Sequence, residues 1–223
     1  MIEVKNKENL TEIYVSGDIT DDSWKGWSWE DDVATYPEDI RNLLKDAKGE
    51  IKVYINSGGG DLFAGVAICN LLQRYDKKTT AIIDGLAASA ASIIAFGCDE
   101  IEIPSNAYLM IHKPLIGIYG NSDDLLKWAD TLDELQKGIV ETYMHHAIDN
   151  VTEEQINEMV NKETWLTGKS ASEFFDVTVT NSTVINNNVG ECVMNYTNTP
   201  DVFKNADTEI IKMKKEIEIA LNL

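Results

Sequence analysis

The sequence predicts an α/β fold in which helices cover a largely parallel sheet. Short β-prone runs alternate with helix-patterned runs, and the connections between them are short. This alternation is typical of parallel strands joined by crossover helices. The chain also has 223 residues with 43% hydrophobic content, which is enough for one sizeable core. We therefore expect one domain with appendages.

The first elements follow from local patterns. Residues 2–15 hold two β-prone runs separated by NKEN, which predicts a hairpin. In PEDIRNLLKDA, residues 37–47, proline occupies a first-turn position and the apolar spacing is helical. IKVYI (51–55) and TTAIID (79–84) are typical of strands, and apolar residues at helical spacing predict a helix over 62–75 between them.

The longest periodic segment runs from Asn121 to about Asn150 and predicts a helix with Asn121 as its cap. At about 1.5 Å per residue this helix approaches 40 Å, so part of it should project and pack on another subunit. The capping box TEEQ, residues 152–155, predicts the start of another helix. The Asn/Thr-rich tail from Asn181 is expected to be a packing or assembly element rather than part of a site.

Composition narrows the possible partners. The net charge of −19 disfavours nucleic acid and anionic membranes, because both attract Lys and Arg. The three cysteines, Cys69, Cys98 and Cys192, lack CxxC spacing and are expected to be buried free thiols in a reducing compartment. No apolar run reaches the roughly 18 residues that a membrane span needs. We expect a cytoplasmic protein that binds neither nucleic acid nor membrane.

The stretch DGLAASAAS, Asp84–Ser92, surrounds Ser89 with small residues, although cores usually contain large apolar side chains. Ser89 is expected where a strand passes into a helix, and free backbone N–H groups at such a point can stabilise an oxyanion. Taken alone, the stretch fits somewhat better a small-residue helix that packs closely on its neighbour.

Two further motifs strengthen the catalytic interpretation. INSGGGD ends a strand in Gly58, Gly59 and Gly60, which let backbone N–H groups approach a ligand atom. It lacks the lysine of a phosphate-binding loop, so an oxyanion hole fits better than a nucleotide site. YLMIHKP places His112 at the end of an apolar strand. A lone histidine there is more often structural, yet histidine is well suited to take a proton from a serine.

Together, INSGGGD, DGLAASAAS and MIHKP resemble the Clp protease proteolytic subunit superfamily, in particular its phage and prophage branch, the Clp-like head maturation proteases. The resemblance runs from about Ile13 to Val177. It implies an α/β fold of the Clp/crotonase-like type, a spiral of ββα units with a protruding handle. The handle comprises a strand and loop after His112 and the long helix. The expected segments are a peptidase domain at 1–182, its handle at about 113–150, and a C-terminal extension at 183–223.

The resemblance also implies roles for individual residues. Ser89 corresponds to the nucleophile and His112 to the general base, and the backbone N–H groups of Ala90 and Gly60 correspond to the oxyanion donors. The residues of the glycine turn expected to contact substrate are Gly59 and Asp61.

The acid of the triad is where the sequence departs from the family pattern. The family has an aspartate where KETWLTGKSA has Glu163, whose extra methylene requires a slightly different backbone. Asp149 and Asp176 are weaker candidates, and an exposed Glu163 without a catalytic role is a further alternative. A second departure is Gly58, which replaces the proline usual in the glycine turn.

The implied function is that of a serine endopeptidase that works through an acyl-enzyme, without metal or cofactor, and processes phage structural proteins. It would assemble as a homo-oligomeric ring, a heptamer or stacked heptamers. An ATPase partner is doubtful, because the chain begins almost directly with a strand. Two alternatives stay open: an inactive Clp-like ring that acts as a scaffold, and an acyl-CoA enzyme of the crotonase type.

Overall fold

The structure is a computed structural model that describes residues 4–7, 9–26, 33–182 and 196–200. Within these ranges, strands and helices alternate as the sequence predicts. The strands are β1 (Val4–Lys7), β2 (Leu10–Ile19), β3 (Ala34–Thr35), β4 (Glu50–Gly60), β5 (Thr79–Ala88), β6 (Glu100–Pro104), β7 (Tyr108–Ile111), β8 (Thr164–Thr167) and β9 (Thr178–Thr180). The helices are α1 (Pro37–Asp46), α2 (Leu62–Gln73), α3 (Ala90–Ala95), α4 (Ser122–Met144), α5 (Glu153–Asn161) and α6 (Gly168–Ala171). Cys192 and most of the C-terminal extension lie outside the described residues.

The strands form one sheet in the order β1-β2-β4-β5-β6-β9. The pairings from β2 to β9 along this path are parallel, and β1 joins β2 as the antiparallel hairpin that the sequence predicts. Helices α2 and α5 begin near the predicted residues, and Thr152 and Gln155 form the predicted capping box. The α/β class with a parallel sheet is thus confirmed.

Strand β5 changes its neighbour along its length, and this positions the site. Residues 80–82 pair with 100–102 of β6, whereas residues 86–88 pair with 108–110 of β7. Both pairings are parallel, so the carboxyl ends of β5 and β7 lie side by side. The residues that follow these ends, Ser89 and His112, are therefore brought together by the sheet itself.

Small residues let α2 and α3 pack closely. A Cβ added to Gly65 would lie 2.9 Å from the Cβ of Ala90, and one added to Gly97 would lie 2.8 Å from the Cα of Cys69. The close-packing interpretation of the small residues is therefore correct for this part of the chain. Cys69 and Cys98 are buried free thiols, as expected, and burial raises the pKa of Cys69 to about 11.

Helix α4 ends earlier than its apolar periodicity predicts. It stops at Met144 rather than near Asn150, and its 23 residues span about 34 Å. The chain turns away because the next residues bond to the body of the domain. His146 Nε2 lies 2.9 Å from the Cys98 carbonyl, and the Ile148 N–H donates to Phe174. The predicted Asn121 cap is confirmed and forms a capping box.

The handle differs from the expectation in one respect. Residues 113–121 form an irregular loop rather than the predicted strand, since none of the described strands lies beside them to pair with. This loop and the first half of α4 expose large apolar side chains, namely Leu115, Tyr119, Leu125, Leu126 and Trp128. In the ranges that the structure describes, no helix has the length and apolar character needed to cross a membrane.

Candidate active site

Ser89 lies at the turn from β5 into α3. Its φ of 55° and ψ of −124° are unusual for a residue with a side chain. Among the described residues, the non-glycine positions with positive φ are Ser89 and Glu163, two of the residues singled out from the sequence. Strained backbone of this kind clusters at functional sites. The Ser89 N–H donates to the Met110 carbonyl at 3.0 Å, which ties the turn to β7.

His112 follows β7 directly and faces Ser89. The distance between His112 Nε2 and Ser89 Oγ is 2.7 Å, which is a hydrogen bond. The ring is largely buried, with 9% of the residue exposed. Burial lowers the pKa of His112, and the negative charge of Glu163 opposes this shift without cancelling it. The imidazole is therefore neutral at neutral pH and can accept a proton.

Glu163 follows α5 and has a φ of 50°. Its carboxylate accepts hydrogen bonds from the backbone N–H groups of Thr197 at 2.9 Å and of Asn198, and from the Trp165 indole at 3.4 Å. His112 is not among these donors, although the charge of Glu163 acts on its pKa. The carboxylate is thus near the ring and held by other groups.

The two weaker acid candidates lie elsewhere. Burial lowers the pKa of His146, a different histidine, and the charge of Asp176 acts against that shift; Asp149 is exposed. Of the three acid candidates, Glu163 is therefore the one whose charge acts on His112.

The glycine turn lies directly against Ser89. A Cβ on Gly59 would lie 2.7 Å from the Ser89 Cβ and 3.1 Å from the Ala90 nitrogen. Gly59 also has a φ of +100°, so glycine is required both by space and by conformation. Asp61 accepts a hydrogen bond from the Ala64 N–H at 2.7 Å and so caps α2. Gly60 and Asp61 also line the cleft beside Ser89.

Tyr196 is a neighbour of the site that the sequence does not reveal. Its ring centroid lies 4.9 Å from that of His112, and its hydroxyl donates to the Gly58 carbonyl at 2.6 Å. The expectation that the tail lies apart from the site needs correction for this residue. The only local signal is the run NYTNTP, whose composition resembles an ordinary loop.

A cleft of about 810 Å³ opens beside Ser89 and His112. One wall comes from α4, through the apolar side chains of Trp128, Leu132, Leu135 and Ile139. The loop after His112 adds Leu115 and Ile116. The cleft therefore offers an apolar surface next to a serine hydroxyl, which suits an extended chain carrying apolar side chains.

A serine on a strained strand-to-helix turn, hydrogen-bonded to a histidine, is the arrangement of a serine hydrolase. The chain belongs to the Clp protease family, whose model matches residues 36–175 and so includes Ser89, His112 and Glu163. Members of this family are serine-type peptidases that form oligomeric rings and act on proteins.

The fold is shared with solved structures, among them a mutant of ClpP1 from Listeria monocytogenes, with a TM-score of 0.59 and 19% sequence identity. The match covers 77% of this chain and 91% of that chain. This likeness confirms the Clp-like α/β fold that the sequence motifs imply.

Proposed function

We propose that the protein is a serine endopeptidase with Ser89 as nucleophile, His112 as general base and Glu163 as the acid that orients the histidine. The observation that carries this proposal is the 2.7 Å contact between Ser89 Oγ and His112 Nε2. With a neutral ring protonated on Nδ1, the serine hydroxyl donates to Nε2 and is ready to lose its proton.

In this mechanism Ser89 Oγ attacks the carbonyl carbon of the scissile peptide while His112 takes the hydroxyl proton. His112 then gives that proton to the leaving amine, and the acyl group stays on Ser89. A water molecule, deprotonated by His112, releases the acyl group and restores the serine. The Glu163 carboxylate stabilises the imidazolium that forms twice in each cycle.

Two backbone N–H groups are suited to hold the oxyanion. The Ala90 N–H is one of the first amides of α3, which have no partner within the helix. We propose the Gly60 N–H as the second donor because Gly60 lines the cleft beside Ser89 and follows Gly59, which lies against the Ser89 turn.

The substrate that we propose is a protein with apolar side chains near the scissile bond, because apolar residues of α4 line the cleft. We further propose structural proteins of a phage or prophage as natural substrates, on the motifs that resemble head maturation proteases. The exposed apolar side chains of the handle support packing between subunits of a ring, for which a heptamer or stacked heptamers are the expected form. The buried free thiols of Cys69 and Cys98 fit a reducing, cytoplasmic setting.

A scaffold without activity is the second candidate. The observation in its favour is that the Glu163 carboxylate accepts from Thr197, Asn198 and Trp165 rather than from His112. A triad acid that no longer holds its histidine would leave a weak base. Labelling of the serine separates the two candidates.

We expect a fluorophosphonate probe to modify the purified, ring-forming protein once per chain, with peptide mapping placing the adduct on Ser89. The reason is that only a serine whose proton can be removed attacks phosphorus at a useful rate. Ser89→Ala should take up no probe, whereas Ser172→Ala, at a half-buried serine whose hydroxyl donates to the Lys169 carbonyl, should label normally. A well-folded ring that takes up no probe would favour the scaffold.

The pH dependence of labelling follows from the lowered pKa of His112. The base works only when neutral, so the rate should rise with pH through the pKa of His112 and then level off. Because burial keeps that pKa below its ordinary value of 6.5, the midpoint is expected below pH 6.5. This midpoint is measured from second-order labelling rate constants between pH 4 and pH 9. On the acidic side of the midpoint, the rate constant should fall about tenfold per pH unit. A midpoint above pH 7 would contradict this assignment.

A further inference from the structure

The described part of the C-terminal extension, residues 196–200, lies against the candidate site, and we call it the strap. The family model matches residues 36–175, so the strap lies outside that match. It nevertheless contacts three parts of the site: the histidine, the glycine turn and the acid. The strap therefore contacts the proposed base, the glycine turn and the proposed acid at once.

The first contact is with His112. The Tyr196 ring meets the imidazole edge to face, at 71° and 4.9 Å between centroids. Tyr196 is 9% exposed and packs in a small apolar cluster with Leu86, Ala88 and Met110. Trp165 holds its other side, with centroids 6.2 Å apart. A ring fixed in this way restricts the rotation of His112 and keeps water from one of its faces.

The second contact is with the glycine turn. The Tyr196 hydroxyl donates to the Gly58 carbonyl at 2.6 Å, and this bond is buried. The Gly58 carbonyl belongs to the peptide group that also carries the Gly59 N–H. Glycine restricts its own backbone least of all residues, so an external bond is an effective way to fix this peptide. The next peptide along the chain carries the Gly60 N–H, so a fixed Gly58–Gly59 peptide also limits the orientation of that N–H.

The third contact is with the acid. The backbone N–H groups of Thr197 and Asn198 both donate to the Glu163 carboxylate. The Asn198 side chain also donates to the Lys162 carbonyl at 2.9 Å, which fastens the strap to the same turn. Two N–H donors fix the position of the carboxylate, although the backbone at Glu163 is strained.

We propose that the strap is a positioning element of the catalytic site, with Tyr196 as the residue that holds both His112 and the glycine turn. The inference rests on the proposed function and extends it, because it assigns a role in the reaction to a segment outside the matched family region. Tyr196 itself touches neither the substrate carbonyl nor the proton in transit. Its effect therefore appears in the rate of the chemical step rather than in binding.

Tyr196→Phe tests this, because it removes the hydroxyl and keeps the ring. Two-step kinetics of fluorophosphonate labelling give KI for binding of the probe and kinact for attack by Ser89. We expect kinact to fall roughly tenfold, which corresponds to the loss of one buried hydrogen bond, while KI stays unchanged. Tyr196→Ala should lower kinact further.

Tyr75→Phe is the matched control. The Tyr75 hydroxyl also donates to a glycine carbonyl, that of Gly49 at 2.8 Å, but at the opposite end of β4. Tyr75→Phe should lower the melting temperature about as much as Tyr196→Phe does, and it should leave kinact unchanged. Equal kinact losses in both variants, or none in Tyr196→Phe, would overturn the proposal. Faster labelling of either Tyr196 variant would overturn it too, because the strap would then obstruct the site.

A second pair of variants tests the contact between the strap and Glu163. Thr197→Pro removes the backbone N–H that donates to the carboxylate, whereas Thr197→Ala keeps it. We expect kinact to be lower in the proline variant than in the alanine variant; equal kinact in both would contradict the role of this bond. Should Thr197→Pro not fold, the Tyr196 comparison decides. If the unaltered protein takes up no probe, the proposed function itself fails, and the inference fails with it.

Discussion

Replacing His112 by alanine is expected to lower the rate of Ser89 labelling, and of any peptide hydrolysis, by at least about 10⁴-fold. Without the imidazole, no described side chain is placed to take the Ser89 proton at 2.7 Å. A hydroxyl that keeps its proton is a poor nucleophile. The measurement is the second-order rate constant for a fluorophosphonate probe, compared at pH 7.5 between the variant and the unaltered protein.

His146→Ala supplies the matched control. His146 is also partly buried, also has a pKa lowered by burial, and also makes a hydrogen bond, but to the Cys98 carbonyl. Its loss should reduce the melting temperature through lost packing on Phe96 and leave the labelling rate within about twofold. If His112→Ala labels within tenfold of the unaltered protein, the bond between Ser89 and His112 is structural and His112 is not the base.

Much of the fold could be predicted because its signals are local. The hairpin, the helices α1, α2 and α5, and the capping residues follow from neighbouring residues in the sequence. The end of α4 could not be predicted, because apolar spacing continues beyond Met144. What ends the helix is bonding between His146 and Cys98, which are far apart in sequence. The absent handle strand has a similar explanation, since a strand depends on a neighbour.

In the site, too, some features have local sequence signals and others depend on the tertiary structure. Ser89, His112 and the glycines lie in motifs that can be recognised as written, and the sheet brings them together because β5 changes its neighbour from β6 to β7. That change of partner has no local signature. Tyr196 is 138 positions from Gly58, the residue to which it donates, and no periodicity marks it. Its contact with the site is a tertiary contact between residues far apart in sequence, which no local pattern encodes.

Gly59→Ala is expected to abolish labelling almost completely, with a loss of about 10³-fold or more. The new Cβ would lie 2.6 Å from the Ala88 carbonyl oxygen and 2.7 Å from the Ser89 Cβ. Both contacts involve atoms on or next to the backbone, so neither can move away without displacing the Ser89 turn. Displacement by a fraction of an ångström misaligns the nucleophile and the oxyanion donors, and loss of one such donor alone costs about 10²–10³-fold. The φ of +100° adds strain of about 1–3 kcal/mol.

Gly26→Ala separates the two causes, because Gly26 has a similar φ of +92° and nothing within 4 Å of the added Cβ. It carries the backbone strain without the collision, so it should lower the free energy of unfolding slightly and leave labelling unchanged. A Gly59→Ala protein that melts cooperatively yet takes up no probe would tie the loss to the site rather than to unfolding. Normal labelling of Gly59→Ala would mean that the glycine turn does not approach Ser89 during the reaction, and the oxyanion role proposed for Gly60 would then be wrong.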